Sequence, residues 1–237
     1  MSSTSTDGLP IVLVPGLICS ARLYADQIPA LWRFGPVTVA DHTRDESIAA
    51  IARRILAAAP PRFALAGLSM GGYIAFEIVR HAPQRVAKLA LLDTAATPET
   101  PQQTQARLPR IELAKTGRFA EVEAALFPLL VHRDRVGDAA LRKIVRQMAD
   151  ETGAEVFVRQ THAIMGRADS RPTLATIACP TLVLVGDADV LTPPPAAQEI
   201  AAGIRGARLV VVPECGHAST LERPEAVNAA LVAWMTS

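Results

Sequence analysis

Six short runs rich in Val, Ile and Leu recur along the chain without the polar alternation of a half-exposed strand. Strands of this kind are buried on both faces, which is typical of a parallel sheet covered by helices. Helical periodicity lies between most of the runs, as where Ser47 caps a segment that places Ile48, Ile51 and Ile55 on one face. The pattern predicts an α/β fold with a mostly parallel, doubly wound sheet. The six predicted strands span residues 9–14, 37–40, 63–66, 89–92, 181–185 and 208–212.

One interval, residues 97–178, lacks any strand-like run. It contains only helical patterns, punctuated by prolines and glycines such as Pro109, Pro128 and Gly153. The interval is too long for an ordinary connection, and it carries apolar residues at helical spacing that need a surface to pack on. We therefore expect a helical cap at residues 97–178, inserted into a single core domain formed by residues 1–96 and 179–237.

Composition narrows the classes of partner. The formal net charge is +1 and the charges are mixed along the chain, so we expect a small-molecule partner and neither nucleic acid nor membrane. Three cysteines are too few and too widely spaced for a disulfide framework or a zinc site. The first eight residues lack the features of a signal peptide, and no apolar run approaches the ~18 residues of a membrane span. A cytoplasmic protein without a metal is expected, and the oligomeric state stays open.

Residues 67–71 read Gly-Leu-Ser-Met-Gly, where a strand-like run meets a helix-like run. A serine held at a sharp strand-to-helix turn projects its hydroxyl from the sheet edge, and crowding at the turn requires small residues two positions away on either side. Gly67 and Gly71 meet that requirement. Ser69 is therefore a candidate nucleophile, but the same pattern also occurs in serine enzymes of other folds and in ordinary tight turns.

A serine hydroxyl becomes an effective nucleophile when a histidine accepts its proton and a carboxylate orients that histidine. Of the five histidines, only His217 follows the last predicted strand, where a loop can return it to the strand ends. Candidates for the carboxylate follow two predicted strands. Asp187 and Asp189 follow the fifth, where Asp187 has the alternative role of a turn residue whose side chain bonds nearby backbone, and Asp93 follows the fourth.

Ser69, Asp189 and His217, in this order and context, resemble the α/β-hydrolase superfamily, and in particular its small capped serine hydrolases of the esterase and carbon–carbon hydrolase branches. In that family the acid comes three positions after the glycine that ends a strand, as Asp189 follows Gly186, and the histidine follows a glycine after the final strand. The resemblance covers nearly all of the chain and implies that these three residues form a catalytic triad. Asp93, an acid position in some branches, is the alternative to Asp189.

The resemblance also implies an oxyanion hole formed by the backbone N–H groups of Leu17 and Met70. Pro15 stands where the family usually has a histidine, and because the donor is a backbone group the function does not depend on that side chain. The segment before the first strand is too short for the family's first antiparallel hairpin. The implied sheet has about six strands, ordered 4-3-5-6-7-8 in the family's numbering.

The implied function is that of a serine hydrolase that acts on a small ester, thioester or lactone through an acyl-enzyme, with no cofactor. Hydrolysis of a carbon–carbon bond in a β-diketone is the alternative reaction, and the cap decides between the two. A ligand-binding protein that keeps the fold without turnover is the non-catalytic alternative. The arginines of the cap, among them Arg133, Arg135, Arg142 and Arg146, are expected on a solvated face, with binding of a substrate carboxylate as their alternative role.

Overall fold

A computed structural model describes residues 8–237. Residues 1–7, which belong to the predicted core unit and to the segment without signal-peptide features, lie outside the described residues. The predicted parallel sheet is confirmed: six strands pair in the order β2-β1-β3-β4-β5-β6, and every neighbouring pair is parallel. This is the order that the resemblance implied. The strands are β1 (Ile11–Val14), β2 (Val37–Val39), β3 (Phe63–Leu68), β4 (Val86–Leu92), β5 (Thr181–Gly186) and β6 (Arg208–Val212).

Ten α-helices lie within residues 8–237, eight before the last strand and two after it. The helix predicted after Ser47 is confirmed, and the Ser47 hydroxyl accepts a hydrogen bond from the N–H of Ala50 as an N-terminal cap. The helices are α1 (Gln27–Leu31), α2 (Ile48–Ala58), α3 (Met70–His81), α4 (Pro101–Lys115), α5 (Phe119–Leu130), α6 (Ala139–Met165), α7 (Arg171–Leu174), α8 (Pro194–Gly203), α9 (Ser219–Glu222) and α10 (Pro224–Thr236).

Helices bury both faces of the sheet, which explains the uninterrupted apolar runs. Successive side chains of a strand point to opposite faces. Leu65 of β3 therefore packs in one cluster with residues of α2, α3 and α8, whereas its neighbour Ala66 packs in another with residues of α1 and α10. Among the described residues, no helix is both long enough and apolar enough to cross a lipid bilayer.

Helices α4 to α7 fill the interval between β4 and β5, where no strand was predicted. Apolar residues of α4, α5 and α6 form a third cluster, which includes Ile111, Val122 and Phe157 and also Ile18 from the loop after β1. Gly153 breaks α6 with a φ of 81°, a conformation that glycine adopts without steric cost. Pro109 and Pro128 do not separate helices as predicted but lie inside α4 and α5. A proline within a helix removes one backbone hydrogen bond, and the packing of these helices tolerates that loss.

The first turn of α3 lies directly against the end of β1. A Cβ atom built on Gly71 would lie 2.0 Å from the carbonyl oxygen of Val14, a separation that no side chain can adopt without moving backbone. Glycine is therefore required for α3 to begin where it does.

Substituting Gly71 tests this requirement. We expect Gly71→Ala to lower the free energy of unfolding by about 1 to 3 kcal/mol, the usual cost of forcing extra volume into a packed site. Urea denaturation measures the change. Gly137→Ala is the matched control, because no atom beyond the two neighbouring residues lies within 4 Å of the Cβ position there. Equal stability of the two variants would contradict the steric argument.

Candidate active site

Ser69 occupies the turn between β3 and α3 in a strained backbone conformation. Its φ is 56° and its ψ is −114°, which few residues other than glycine adopt. Two hydrogen bonds hold the turn: the Ser69 N–H donates to the carbonyl oxygen of Leu92 (2.9 Å), and the Thr94 hydroxyl donates to the carbonyl oxygen of Ser69 (2.8 Å). The serine side chain is thereby directed outward from the carboxyl end of the sheet.

The structure brings Ser69, Asp189 and His217 together. The Nε2 atom of His217 lies 2.8 Å from the Ser69 hydroxyl oxygen, and its Nδ1 atom lies 2.8 Å from an Asp189 carboxylate oxygen. With the imidazole proton on Nδ1, that group donates to Asp189 and Nε2 accepts from Ser69. This tautomer can take a proton from the serine, and the buried carboxylate stabilises the imidazolium that results.

Three donors besides His217 fix the carboxylate of Asp189. The N–H groups of Leu191 (2.8 Å) and Thr192 (3.0 Å) donate to one oxygen, and the Thr192 hydroxyl (2.8 Å) donates to the other. Burial works to raise the pKa of Asp189, but the charge of His217 and these hydrogen bonds outweigh it and lower that pKa. Thr192 was not predicted as a partner of Asp189, although a threonine three residues after a turn aspartate is a local signal.

The buried imidazole of His217 titrates above its ordinary range. Burial alone would lower the pKa of His217, but the Asp189 carboxylate close to Nδ1 outweighs burial and raises that pKa. A histidine tuned in this way accepts a proton readily and remains a good acid for the return step.

Asp93, the alternative acid, faces different partners. One of its oxygens accepts from the Gly186 N–H (3.0 Å), and the other is hydrogen-bonded to the Ser219 hydroxyl. Complete burial, reinforced by the nearby Asp189 carboxylate, raises the pKa of Asp93 to about 8. Asp93 therefore keeps its proton to higher pH than an ordinary carboxyl group. It connects β4, β5 and the segment after His217, whereas Asp189 makes the contact with the imidazole.

The loop that carries His217 is held by two acidic residues. Asp187, the third acid candidate, accepts from the Cys215 N–H (3.1 Å). The buried Glu222 accepts from the Gly216 N–H (2.7 Å) with one oxygen and from the His132 N–H (2.7 Å) with the other. Glu222 thus joins the histidine loop to the segment after α5, a role that the sequence analysis missed.

The predicted oxyanion donors are two backbone N–H groups near Ser69, one directly after it in sequence and one in the loop after β1. Met70 opens α3, and the first N–H groups of a helix have no partner within it. The N–H of Leu17 has no acceptor among residues 8–237, and Leu17 shares a cavity wall with Ser69. Both backbone groups are therefore available to a ligand.

Two buried residues fix the loop that contains Leu17. The His42 ring nitrogen Nε2 lies 2.8 Å from the Gly16 carbonyl oxygen, and the Ile18 N–H donates to the Gln160 side-chain oxygen (2.8 Å). The Gln160 amide in turn donates to the His42 carbonyl oxygen (3.2 Å). Neither His42 nor Gln160 was predicted as a partner of this loop. Gln160 belongs to α6, 142 residues from its partner Ile18.

A cavity of about 340 Å³ opens above Ser69 and His217. Its volume suits a small-molecule ligand, and most of its wall is aliphatic. Helices α4, α5 and α6 supply much of that wall. The aliphatic lining includes Leu17, Ile18, Leu126, Leu129, Leu130, Val145, Ile164, Val190 and Leu191.

The polar lining of the cavity includes two arginines that the sequence analysis did not single out, Arg107 and Arg110 of α4. None of the four cap arginines named from the sequence lines it. Cys19 also borders the cavity, but burial raises the pKa of its thiol to about 12, so Cys19 does not supply a thiolate nucleophile at neutral pH. Within residues 8–237, no cluster of three or more His, Cys, Asp or Glu side chains could hold a metal ion.

The chain is similar in sequence and structure to known proteins of one family. A model of the alpha/beta hydrolase family matches residues 11–230. The chain is 29% identical to a pimeloyl-[acyl-carrier protein] methyl ester esterase of Edwardsiella ictaluri over 92% of this chain and 84% of that protein. Among solved structures, a thermophilic esterase from Thermogutta terrifontis is similar at 28% identity and a TM-score of 0.87, covering 97% of this chain and 90% of that one. An enol-lactonase from Burkholderia xenovorans LB400 is similar at 25% identity and a TM-score of 0.89, covering 100% and 94%.

The raised pKa of Asp93 predicts a pH dependence of stability. Because the folded state raises the pKa of Asp93, this group contributes stability that is complete below its unfolded pKa of about 4 and is lost as the pH rises towards about 8. Asn at position 93 is neutral and can keep both hydrogen bonds. From about pH 5 to about pH 8, we expect wild type to lose at least about 1.4 kcal/mol of unfolding free energy relative to Asp93→Asn, the equivalent of one pKa unit.

Urea unfolding across this pH range measures the difference. Asp134→Asn, at an exposed aspartate of the turn after α5, controls for the loss of a surface charge. A constant difference between wild type and Asp93→Asn would show that Asp93 is already ionised in the folded protein.

Proposed function

The chain belongs to the alpha/beta hydrolase family, and we propose that it is a serine esterase that hydrolyses a small ester, thioester or lactone through an acyl-enzyme. The observation that carries the proposal is the position of His217, whose two ring nitrogens each lie 2.8 Å from an oxygen, one of Ser69 and one of Asp189. That arrangement, open to an aliphatic cavity, supports nucleophilic attack by the serine. The ligand that enters the cavity is a small molecule.

In the proposed reaction, Ser69 attacks the carbonyl carbon of the substrate while the Nε2 atom of His217 takes the hydroxyl proton. His217 then delivers that proton to the leaving alcohol, thiol or ring oxygen, and the acyl group remains on Ser69. A water molecule, deprotonated by His217, attacks the acyl-enzyme and releases the carboxylic acid. Asp189 holds the imidazole in the required tautomer and stabilises its positive charge. The protein's own groups perform these proton transfers.

The oxyanion of each tetrahedral intermediate binds to the N–H groups of Leu17 and Met70 in this proposal. Fixed donors stabilise the charge that develops on the carbonyl oxygen, and the loss of one such donor costs about 2.7 to 4 kcal/mol of barrier in a known case. His42 and Gln160 act as positioning residues, because they hold the backbone on either side of Leu17.

Residues 97–178 act as a cap in this proposal and select the substrate. The cavity wall opposite the strand ends comes from α4, α5 and α6, so the shape and charge of these helices decide which acyl group fits. Relatives named as an esterase and an enol-lactonase support carboxylic ester and lactone substrates. Cleavage of a β-diketone would use the same three residues, but the bond broken is then carbon–carbon, and the proton from His217 goes to a carbon atom of the leaving enolate.

Labelling of Ser69 tests the proposal. A fluorophosphonate probe is expected to modify Ser69 covalently, and Ser69→Ala should lower kcat for a short p-nitrophenyl ester by at least about 10³-fold, because the nucleophile is lost. Mass spectrometry of the labelled protein and steady-state kinetics measure the two effects. Ser47→Ala, which removes a helix cap remote from the cavity, is the control variant.

Three outcomes would contradict the proposal. Absence of label on intact protein, or ester hydrolysis that survives Ser69→Ala, excludes a serine esterase. Turnover of β-diketones with none of esters or lactones would assign the alternative reaction.

The raised pKa of His217 predicts the acid limb of the pH profile. His217 must be neutral to accept the serine proton, so kcat/KM should fall as the pH drops through a pKa above the ordinary imidazole value of about 6.5. Asp189→Asn removes the charge that raises this pKa. The variant should shift the limb to lower pH and reduce kcat by about 10²- to 10⁴-fold.

Steady-state kinetics with one ester across the pH range measure both effects. Asp93→Asn is the comparison variant, because Asp93 contacts Ser219 and Gly186 rather than the imidazole. A larger loss of activity in Asp93→Asn than in Asp189→Asn would assign Asp93 as the acid.

A further inference from the structure

Helix α4 presents a polar edge to a cavity that is otherwise mainly aliphatic. Gln103, Arg107 and Arg110 follow one another at intervals of four and three residues, so they lie on one face of the helix, and all three line the cavity that contains Ser69. Arg107 and Arg110 are half-buried. The hydrolysis of an ester requires neither side chain.

These arginines belong to a cluster with excess positive charge. Arg107 donates to a carboxylate oxygen of Glu99 (2.6 Å), but Glu99 also pairs with Arg167, whose guanidinium lies over the ring of Tyr73 (4.6 Å from its centre). Arg107 and Arg167 thus share the one carboxylate of Glu99, and Arg110, which feels the like charge of Arg107, adds a third guanidinium group to the cluster. The cluster therefore carries two unbalanced positive charges.

Arg110 is the member of the cluster without a counter-ion. Among residues 8–237, its guanidinium has no carboxylate within ion-pair distance and no hydrogen-bond acceptor. Partial burial and the like charge of Arg107 lower the pKa of Arg110, which shows that its surroundings disfavour the positive charge. No Asp or Glu among the described residues lines the cavity. An anion supplied by a ligand would balance this charge.

We infer that the cavity binds an ester or lactone that carries a carboxylate remote from the scissile carbonyl, with Arg110 and Arg107 as the carboxylate site. This inference rests on the proposed function, because it places the reacting carbonyl at Ser69. A guanidinium group matches the planar geometry of a carboxylate through paired hydrogen bonds. The aliphatic lining of the same cavity, which includes Leu126 and Ile164, suits the methylene chain of a dicarboxylic acid monoester.

A pair of substrates of equal length tests the inference. Monoethyl adipate carries a terminal carboxylate, and the ethyl ester of adipamic acid carries a neutral amide at the same position. The wild-type protein should show a higher kcat/KM for the anionic ester. We expect Arg110→Gln to lower the anionic-to-neutral ratio of kcat/KM by about 10- to 100-fold, the usual effect of losing a charged hydrogen bond.

Two further variants sharpen the comparison. Arg110→Lys keeps the charge without the planar fork and should retain part of the preference. Arg146→Gln, at an exposed arginine of α6 that does not line the cavity, should leave the ratio unchanged. An unchanged ratio in Arg110→Gln would overturn the inference and leave the serine esterase intact.

A binding measurement separates the anion site from catalysis. Calorimetric titration of adipate into Ser69→Ala protein should show binding that Ser69→Ala/Arg110→Gln protein loses by about 10-fold or more. Equal affinity of the two proteins for adipate would refute the carboxylate site. If neither ester is hydrolysed and no probe labels Ser69, the proposed function fails, while the titration still decides the anion site.

Discussion

The parallel register of four neighbouring strands is the constraint on which the site depends. Leu68 pairs with Leu92, Leu92 pairs with Leu184, and two residues later Gly186 pairs with Val212, so β3, β4, β5 and β6 all end at one edge of the sheet. The loops that leave these strand ends must therefore meet one another. Parallel pairing places the ends of these strands side by side. It therefore brings together Ser69, Asp93, Asp189 and the loop that carries His217.

Hydrogen bonds from buried polar residues then fix the positions of these loops relative to one another. Asp93, Glu222 and Gln160 each join two segments that are distant in sequence, and each does so through a backbone N–H that would otherwise be buried without a partner. Leaving such a group unsatisfied costs about 1 to 3 kcal/mol, so these contacts specify where each loop lies rather than merely adding stability. The three loops so fixed are those that carry Asp189, His217 and Leu17.

The sequence predicts the strand ends better than it predicts the contacts between them. The apolar runs indicated six buried strands, and their order in the sheet followed from the resemblance. Ser69, Asp189 and His217 could be selected as candidates because each stands at a fixed spacing from a glycine near the end of a strand. Gln160 has no such signal, since its partner Ile18 lies 142 residues away and the contact depends on how α6 packs. Arg110 was missed for the same reason: the sequence shows a charged helix but not which face meets the cavity.

The two walls of the cavity come from different parts of the fold, and they therefore differ in how freely their side chains can be substituted. The wall with Ser69 and His217 is set by the sheet register, and few substitutions could move it without unfolding the core. The wall from α4 is attached through Glu99, whose contacts with Arg107 and Arg167 tie α4 to the end of α6 and, by way of Tyr73, to the helix that follows Ser69. Side chains on the cavity face of α4 other than Arg107 can vary while this anchor holds. In the proposed esterase, chemistry fixed by the sheet can thus coexist with specificity carried by the inserted helices, because Arg110 lies on the part of the wall that is free to vary.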